Sequence, residues 1–154
     1  MKQMNAPSSK LARLLETDPR ATTVLIRGLV GAVFLSEGIQ KFITPEKVGA
    51  GRFAKIGFEN PEFLAAFVGA NEILFGLALC LGLLVRLSVL PIIVIMFTAL
   101  ATTKVPIFLQ NGFWEMAHAA RTDFSMLTGS IFLLIEGAGK WSLDGLISKR
   151  LKSR

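Results

Sequence analysis

The sequence predicts an all-α membrane protein, a four-transmembrane-helix bundle with short amphipathic terminal segments. Of its 154 residues, 52% are hydrophobic, which is more than the surface of a soluble domain tolerates. The apolar residues gather into runs of about the 20 residues that cross a hydrocarbon core of about 30 Å as a helix. A few charged residues interrupt these runs, and we expect them to face protein, water or one another, because each costs roughly 2.5 to 3.5 kcal/mol in lipid. The predicted spans are about 24–42, 63–85, 87–109 and 115–139.

Residues 1–23 form a polar and basic N-terminal segment. Ser8 or Ser9 can cap a short helix with leucines on one side. An amphipathic surface helix and a frayed tail are the two alternatives for this segment. A cleaved signal peptide is not expected, because Arg27 interrupts the apolar run and no small-x-small cleavage site follows it.

The first span, 24–42, carries three charges. Glu37 and Lys41 lie one helical turn apart on nearly one face. Lys41 shares a stripe with Arg27, Gly31 and Gly38, and the small residues should let a neighbouring helix approach the charges closely.

The second span follows a loop, 43–62, in which we expect one short amphipathic turn. Asn60 and Pro61 favour a helix start. Within the span, Glu72 lies between Gly69 and Gly76 on the face with the smallest side chains, where a partner helix should pack.

The third and fourth spans contain helix-breaking residues near their ends. Pro91 should be tolerated in the first turn of the third span, whereas Pro106 should kink or end that helix. The fourth helix should start near Trp114 or Glu115 and stop at the glycines that follow residue 136. Residues 142–154 then form a basic amphipathic tail.

An even number of spans puts both termini on one side of the membrane. That side holds ten of the 17 basic residues: Lys2, Lys10, Arg13, Arg20, Arg86, Lys140, Lys149, Arg150, Lys152 and Arg154. The other side holds five: Lys47, Arg52, Lys55, Lys104 and Arg121. Because short cytoplasmic segments are enriched in basic residues, we expect both termini in the cytoplasm. The charge pattern thus indicates topology, and we expect no nucleic-acid partner.

Charged residues from all four spans fall at two depths. Near the outer side we predict a polar cluster whose members are candidates for ligand binding or proton handling, together with His118: Glu37, Lys41, Glu72, Lys104 and Asp123. The cluster has three acids and two bases, which leaves one negative charge to be balanced. Three alternatives would balance it: Arg121 folds inward, one carboxyl keeps its proton, or a ligand or water network binds there. A structural ionic lock is the alternative. At the inner end, Arg27 and Glu136 are predicted to form a structural ion pair.

Several kinds of chemistry find no support in the sequence. The single cysteine, Cys80, excludes an intrachain disulfide and is expected to be an inert packing residue. The single histidine, His118, cannot build a histidine metal site or a bis-histidine haem within one chain, and it should pair with Glu115 at the interface. We therefore expect no metal and no covalent cofactor.

The order of several short motifs resembles the DoxX family of small bacterial membrane proteins. The matching residues are Arg27-Gly28, Gly31, Phe34, Glu37-Gly38, Lys41-Phe42, Gly57-Phe58, Pro61, Glu72, Gly82, Arg86 and the closing run from Gly137 to Asp144. The resemblance covers roughly residues 24–145 and implies a four-helix bundle in the bacterial cytoplasmic (inner) membrane. It also implies links to quinone-coupled oxidation or to oxidoreductase complexes in redox stress.

Two functions follow as hypotheses. The first is a subunit of a quinone-linked oxidoreductase or redox-stress complex that binds a quinone or similar amphipathic molecule at the polar cluster, while a redox protein partner brings the electrons. Such a subunit is more accessory than catalytic, because no complete catalytic constellation appears. The second is a non-enzymatic scaffold or small-solute or proton conduit whose charges are structural. Membrane lipid, and a second copy of the chain, are the other expected partners.

Overall fold

The chain is all-α in the computed structural model, which describes residues 20–152. Its helices are α1 (Thr23–Ile43), α2 (Pro45–Val48), α3 (Ala50–Ile56), α4 (Pro61–Leu81), α5 (Val85–Ala99), a π-helical segment (Leu100–Lys104), α6 (Val105–Asn111), α7 (Phe113–Glu136) and α8 (Leu143–Lys152). The structure leaves residues 1–19 undescribed, so the two alternatives for the N-terminal segment lie outside the described residues.

Helices long and apolar enough to cross a membrane make up about half of the described residues. Among residues 20–152, three such stretches are Thr23–Ile43, Pro61–Leu81 and Val85–Asn111. The fourth long helix, α7, has 24 residues but carries several charges in its first half. The fold is therefore that of a membrane protein with three to four spanning helices.

The observed helices start and end a few residues away from the predicted spans. The second predicted span, 63–85, is shortened at its end, because Gly82 takes up a left-handed conformation (φ 69°) that stops α4. The loop 43–62 contains two short helices, where one short turn was expected. Pro91 lies in the interior of α5 and not in its first turn, because that helix begins two residues earlier than predicted, at Val85.

The closest helix packing joins α1 and α4. A β-carbon on Gly76 would lie 2.6 Å from the backbone N of Leu35, and one on Gly38 would lie 2.7 Å from the carbonyl O of Gly69. Backbones this close leave no room for side chains, so the glycines are required by the packing. The spacing of small residues in the sequence correctly predicted this contact.

A π-helical segment interrupts the third long helix where the sequence predicted a kink at Pro106. The N–H of Val105 donates to the carbonyl of Leu100, five residues earlier, in place of the usual four. Proline has no N–H to offer, and two threonine hydroxyls bond carbonyls four residues back, Thr102 to Thr98 at 2.8 Å and Thr103 to Ala99 at 2.6 Å. The helix therefore widens over one turn and continues as α6.

The bundle has two ends that differ in construction. We call the end formed by residues 20–22, 82–84 and 137–145 the terminal end, and the end formed by residues 44–60 and 104–114 the loop end. The apolar core fills the space between them, with Val30, Leu79, Val89, Ile92 and Leu133 fully buried. The helix α8 leaves this core and runs along the terminal end.

Candidate functional site

A buried ion pair links α1 to α4. The Nζ atom of Lys41 lies 2.6 Å from Oε2 of Glu72, and the two side chains are 9% and 4% exposed. Gly38 and Gly69 lie beside the pair, and their small size lets the two helices pack closely around it. Two buried charges of opposite sign satisfy each other here, so neither faces lipid.

Two further charges lie within electrostatic range of Glu72. Glu37 is half-buried one turn before Lys41, and Arg52 lies on α3 above the helix pair. Glu37 contributes a like charge to Glu72 and Arg52 an opposite one, so this corner holds two acids and two bases. The excess of acids predicted for the polar cluster is thereby balanced locally, without Arg121 folding inward.

A second ion pair links the π-helical segment to α7. The Nζ atom of Lys104 lies 3.1 Å from Oδ2 of Asp123, with side chains 14% and 20% exposed. Across the described residues, no hydrogen bond or ion pair joins this pair to Lys41 and Glu72. The predicted single cluster is thus two separate pairs, each between long helices that follow one another along the chain.

An apolar groove opens beside Lys104. It encloses about 440 Å³ and is lined by Phe97, Leu100, Ala101, Lys104, Val105, Phe108 and Met116. Lys104 is the charged member of this lining, whereas Glu37, Lys41 and Glu72 do not line it. The groove offers one ammonium donor within an otherwise apolar and aromatic wall.

Another groove lies between α1 and α7. It is lined by Ile26, Leu29, Val30, Phe124, Ser125, Thr128, Gly129 and Phe132, and it holds no charged side chain. Its chemistry matches the lipid acyl chains that surround any membrane protein, so it carries no information on a polar ligand.

At the terminal end, the predicted Arg27–Glu136 ion pair is wrong. The Nη1 atom of Arg27 donates to the carbonyl O of Ala138 at 2.6 Å, and Nη2 donates to the carbonyl O of Trp141 at 2.9 Å. Glu136 instead lies 3.8 Å from Arg20. Both acceptors are backbone carbonyls of the segment that follows α7, and a charged donor forms strong hydrogen bonds with them.

Asp144 has a structural role that the sequence analysis did not assign to it, although it lies in the closing run of matching residues. Its Oδ1 accepts from the N–H of Leu84 at 2.7 Å and its Oδ2 from the N–H of Val85 at 3.0 Å. The side chain is buried, 2% exposed. Burial raises the pKa of Asp144, while the two N–H groups and the Arg27 charge partly oppose this. Its place in the closing run of matching residues was the available signal.

His118 lies on the exposed surface of α7, away from both buried ion pairs. Arg121 donates to its Nε2 at 2.7 Å, so its partner is Arg121 and not Glu115 as predicted. Both side chains are exposed. Within residues 20–152, no group of three His, Cys, Asp or Glu side chains is placed to hold a metal ion.

The helices and buried ion pairs define a multi-pass membrane protein. Residues 22–105 match the DoxX family model, and the chain belongs to the DoxX family. It is 48% identical over 144 residues to the uncharacterized membrane protein Rv3486 of Mycobacterium tuberculosis, a match that covers 90% of this chain and 88% of that protein. No solved structure matches it.

Proposed function

We propose that the protein is an accessory membrane subunit that binds a quinone or similar amphipathic redox molecule in the groove beside Lys104. The observation that carries this proposal is a single lysine side chain, 14% exposed, in the wall of an apolar groove of about 440 Å³. Ligand sites of this size are commonly apolar with a few placed polar groups. The family resemblance supplies the ligand class.

The residues of the groove fit the two parts of such a molecule. The ammonium of Lys104 can donate a hydrogen bond to a carbonyl oxygen, and Phe97 and Phe108 offer aromatic surface to a ring. An isoprenoid tail would extend among the apolar side chains toward lipid. Asp123 holds Lys104 in place and competes with the ligand for it. A bound quinone supplies two-electron, two-proton chemistry, which none of the described side chains supplies.

The subunit therefore needs a redox partner. We propose that a partner protein delivers the electrons, and that this chain positions the ligand and shields it from water. In this arrangement the chain crosses the cytoplasmic membrane four times with both termini in the cytoplasm, so the groove lies toward the outer side. The alternative assembly is a homo-oligomer that builds the same site several times.

The test compares two variants of the Lys104–Asp123 pair. Lys104→Met removes the donor and should weaken binding of a short-chain quinone to purified protein at least about tenfold, the loss expected for a hydrogen bond to a charged group. Asp123→Asn removes the competitor and should keep or strengthen binding. Lys47→Met, at an exposed site on α2, is the control and should bind as the wild type does.

Two outcomes would contradict the proposal. Binding that survives in Lys104→Met would exclude the lysine, and equal losses in both variants would show that the pair only supports the fold. Mass spectrometry of molecules that copurify with the wild type from native membrane provides a second readout, and enrichment of quinone over bulk lipid is the expected result.

A second candidate is a scaffold whose ion pairs are structural. The satisfied geometry of Lys41 and Glu72, 2.6 Å apart between tightly packed glycines, favours this role for that pair. The scaffold hypothesis predicts no quinone enrichment in the wild type and an unchanged set of copurifying proteins in Lys104→Met. Replacing Lys41 and Glu72 together by methionine should then leave that set intact, because apolar residues can replace a buried pair without loss of stability.

A further inference from the structure

The terminal end presents a tryptophan in a fixed position. Trp141 is 77% exposed, and its backbone has φ 55°, a left-handed conformation that residues other than glycine seldom adopt. Its carbonyl accepts the hydrogen bond from Nη2 of the buried Arg27. The backbone of Trp141 is therefore held by an interaction from the core, and its side chain projects from the surface.

The helix α8 is fixed beside it with apolar residues outward. Leu143, Leu146 and Ile147 fall on one face at 100° per residue and are 37%, 58% and 36% exposed. The next residue after Leu143, Asp144, points the opposite way and holds the N–H groups at the start of α5. Because that contact anchors the helix, α8 cannot roll to bury its apolar side.

Basic residues border this face. Lys140 and Lys149 are exposed; Lys140 precedes α8 in the chain, and Lys149 lies about 60° round the helix from Leu146. Among residues 136–152 the carboxylates are Glu136, which faces Arg20 at 3.8 Å, and Asp144, which is buried against α5. No described carboxylate of this segment is thus left to neutralise the two lysines.

We infer that this surface binds acidic phospholipid headgroups in the adjacent leaflet and selects them over zwitterionic ones. We name it the terminal-end face and define it as Trp141, the leucines and isoleucine of α8 given above, Lys140 and Lys149. Tryptophan favours the headgroup level of a membrane, and an amphipathic helix buries its apolar side at the boundary with the acyl chains. Lysines beside such a helix attract an anionic surface. The inference is independent of the groove beside Lys104.

The chain is suited to a direct test, because it has two tryptophans and no tyrosine. In Trp114→Phe, fluorescence reports on Trp141 alone. The full-length variant is reconstituted into vesicles of phosphatidylglycerol and phosphatidylcholine in equal amounts, with bromine on the acyl chains of one lipid or of the other. Bromine quenches a nearby tryptophan, so the two samples compare how often each lipid lies beside Trp141.

The expected result is an enrichment of phosphatidylglycerol beside Trp141 of about fivefold at low salt, the factor that corresponds to one lysine at an anionic surface. The enrichment should fall toward one at about 1 M salt, where the Debye length is about 3 Å. In Lys140→Gln/Lys149→Gln it should be lost. In Lys47→Gln/Lys55→Gln, two exposed lysines of the loop end, it should persist.

Three results would overturn the inference. Equal quenching by the two brominated lipids in the parent variant would show no selection. Enrichment that survives in Lys140→Gln/Lys149→Gln would assign it to other groups. Absence of quenching by either lipid, with normal quenching of Trp114 in Trp141→Phe, would show that the face is covered by protein.

Discussion

The carboxylate of Asp144 accepts a hydrogen bond of 2.7 Å from the backbone N–H of Leu84, sixty residues earlier in the chain. The first N–H groups of a helix have no partner within the helix, and a local Ser, Thr, Asp or Asn usually satisfies one of them. Leu84 can offer no such group, and its backbone is left-handed, with φ 47°. The cap of α5 is therefore supplied by α8.

The stability conferred by Asp144 should depend on pH. Because burial raises the pKa of this carboxyl, the folded protein binds its proton more tightly than the unfolded chain does. Stability then falls as pH rises from the ordinary aspartate value through the raised one. The free energy of unfolding of the wild type, relative to the non-titrating Asp144→Asn, should increase as pH is lowered from 7 to about 4. A difference that shrinks on acidification would contradict this.

The glycine contact between α1 and α4 makes opposite predictions for two similar substitutions. A methyl group at Gly76 would lie 2.6 Å from backbone N of Leu35, so Gly76→Ala should destabilise the protein by about 1 to 3 kcal/mol. Gly28 has nothing within 4 Å of its would-be β-carbon, so Gly28→Ala should be neutral or stabilise α1 by up to about 1 kcal/mol. Unfolding by denaturing detergent measures both, and equal effects would show that close approach is not what selects glycine.

The buried pair of Lys41 and Glu72 should behave as a coupled unit. Glu72→Gln leaves the ammonium buried without a carboxylate and should lower the free energy of unfolding by about 3 to 5 kcal/mol. Exchange of the two residues, Lys41→Glu with Glu72→Lys, should recover most of that loss.

The control for this pair lies on the same helix. Glu62 is exposed in the first turn of α4, so Glu62→Gln should change stability by no more than about 0.5 kcal/mol. A double exchange as unstable as the single variants would show that the two charges do not act on each other.

The membrane topology can be tested with single cysteines. Replacing Cys80 by serine removes the chain's only thiol. In that background, the proposed topology, with four crossings, α8 inside and α3 outside, predicts that Lys149→Cys is protected in intact cells from a membrane-impermeant maleimide and that Lys55→Cys is labelled. Labelling of both positions to the same extent would exclude this topology.

Close packing at the glycines of the first two long helices was predictable because these glycines recur at helical spacing and lie next to charged residues. Gly31, Gly38, Gly69 and Gly76 recur at helical spacing beside Lys41 and Glu72, and small residues next to a charge in an apolar span have few uses other than close packing. Depth placed Lys41 and Glu72 in one predicted polar cluster, and the structure pairs them. Local spacing and depth are both readable from one sequence.

The partners of Arg27 were not predictable in the same way. A carboxylate at similar depth, Glu136, was the evident candidate, yet the guanidinium bonds the carbonyls of Ala138 and Trp141. Every residue has a carbonyl, so side-chain identity does not reveal which ones a broken helix leaves available. The glycines after residue 136 predicted the end of α7, but they did not predict the path of the chain after it, which places these carbonyls beside Arg27.

The division of the polar cluster into two pairs depends on the π-helical segment. The sequence predicted a disturbance at Pro106 but not its form, a π-helical turn in which threonine hydroxyls bond the local carbonyls. One added residue turns the side chains that follow by about 100°, and Lys104 in this turn pairs with Asp123 of α7.

The hydrogen bonds that Arg27 and Asp144 form at the terminal end have a consequence for biosynthesis. Translation delivers α1, α4 and α5 to the membrane before residues 138–144 leave the ribosome. Until then, the guanidinium of Arg27 and the amides of Leu84 and Val85 lack these hydrogen-bond partners. Residues 138–144 thus complete contacts of helices made before them, and nascent chains stopped before Asp144 should be the ones that membrane quality-control proteases recognise.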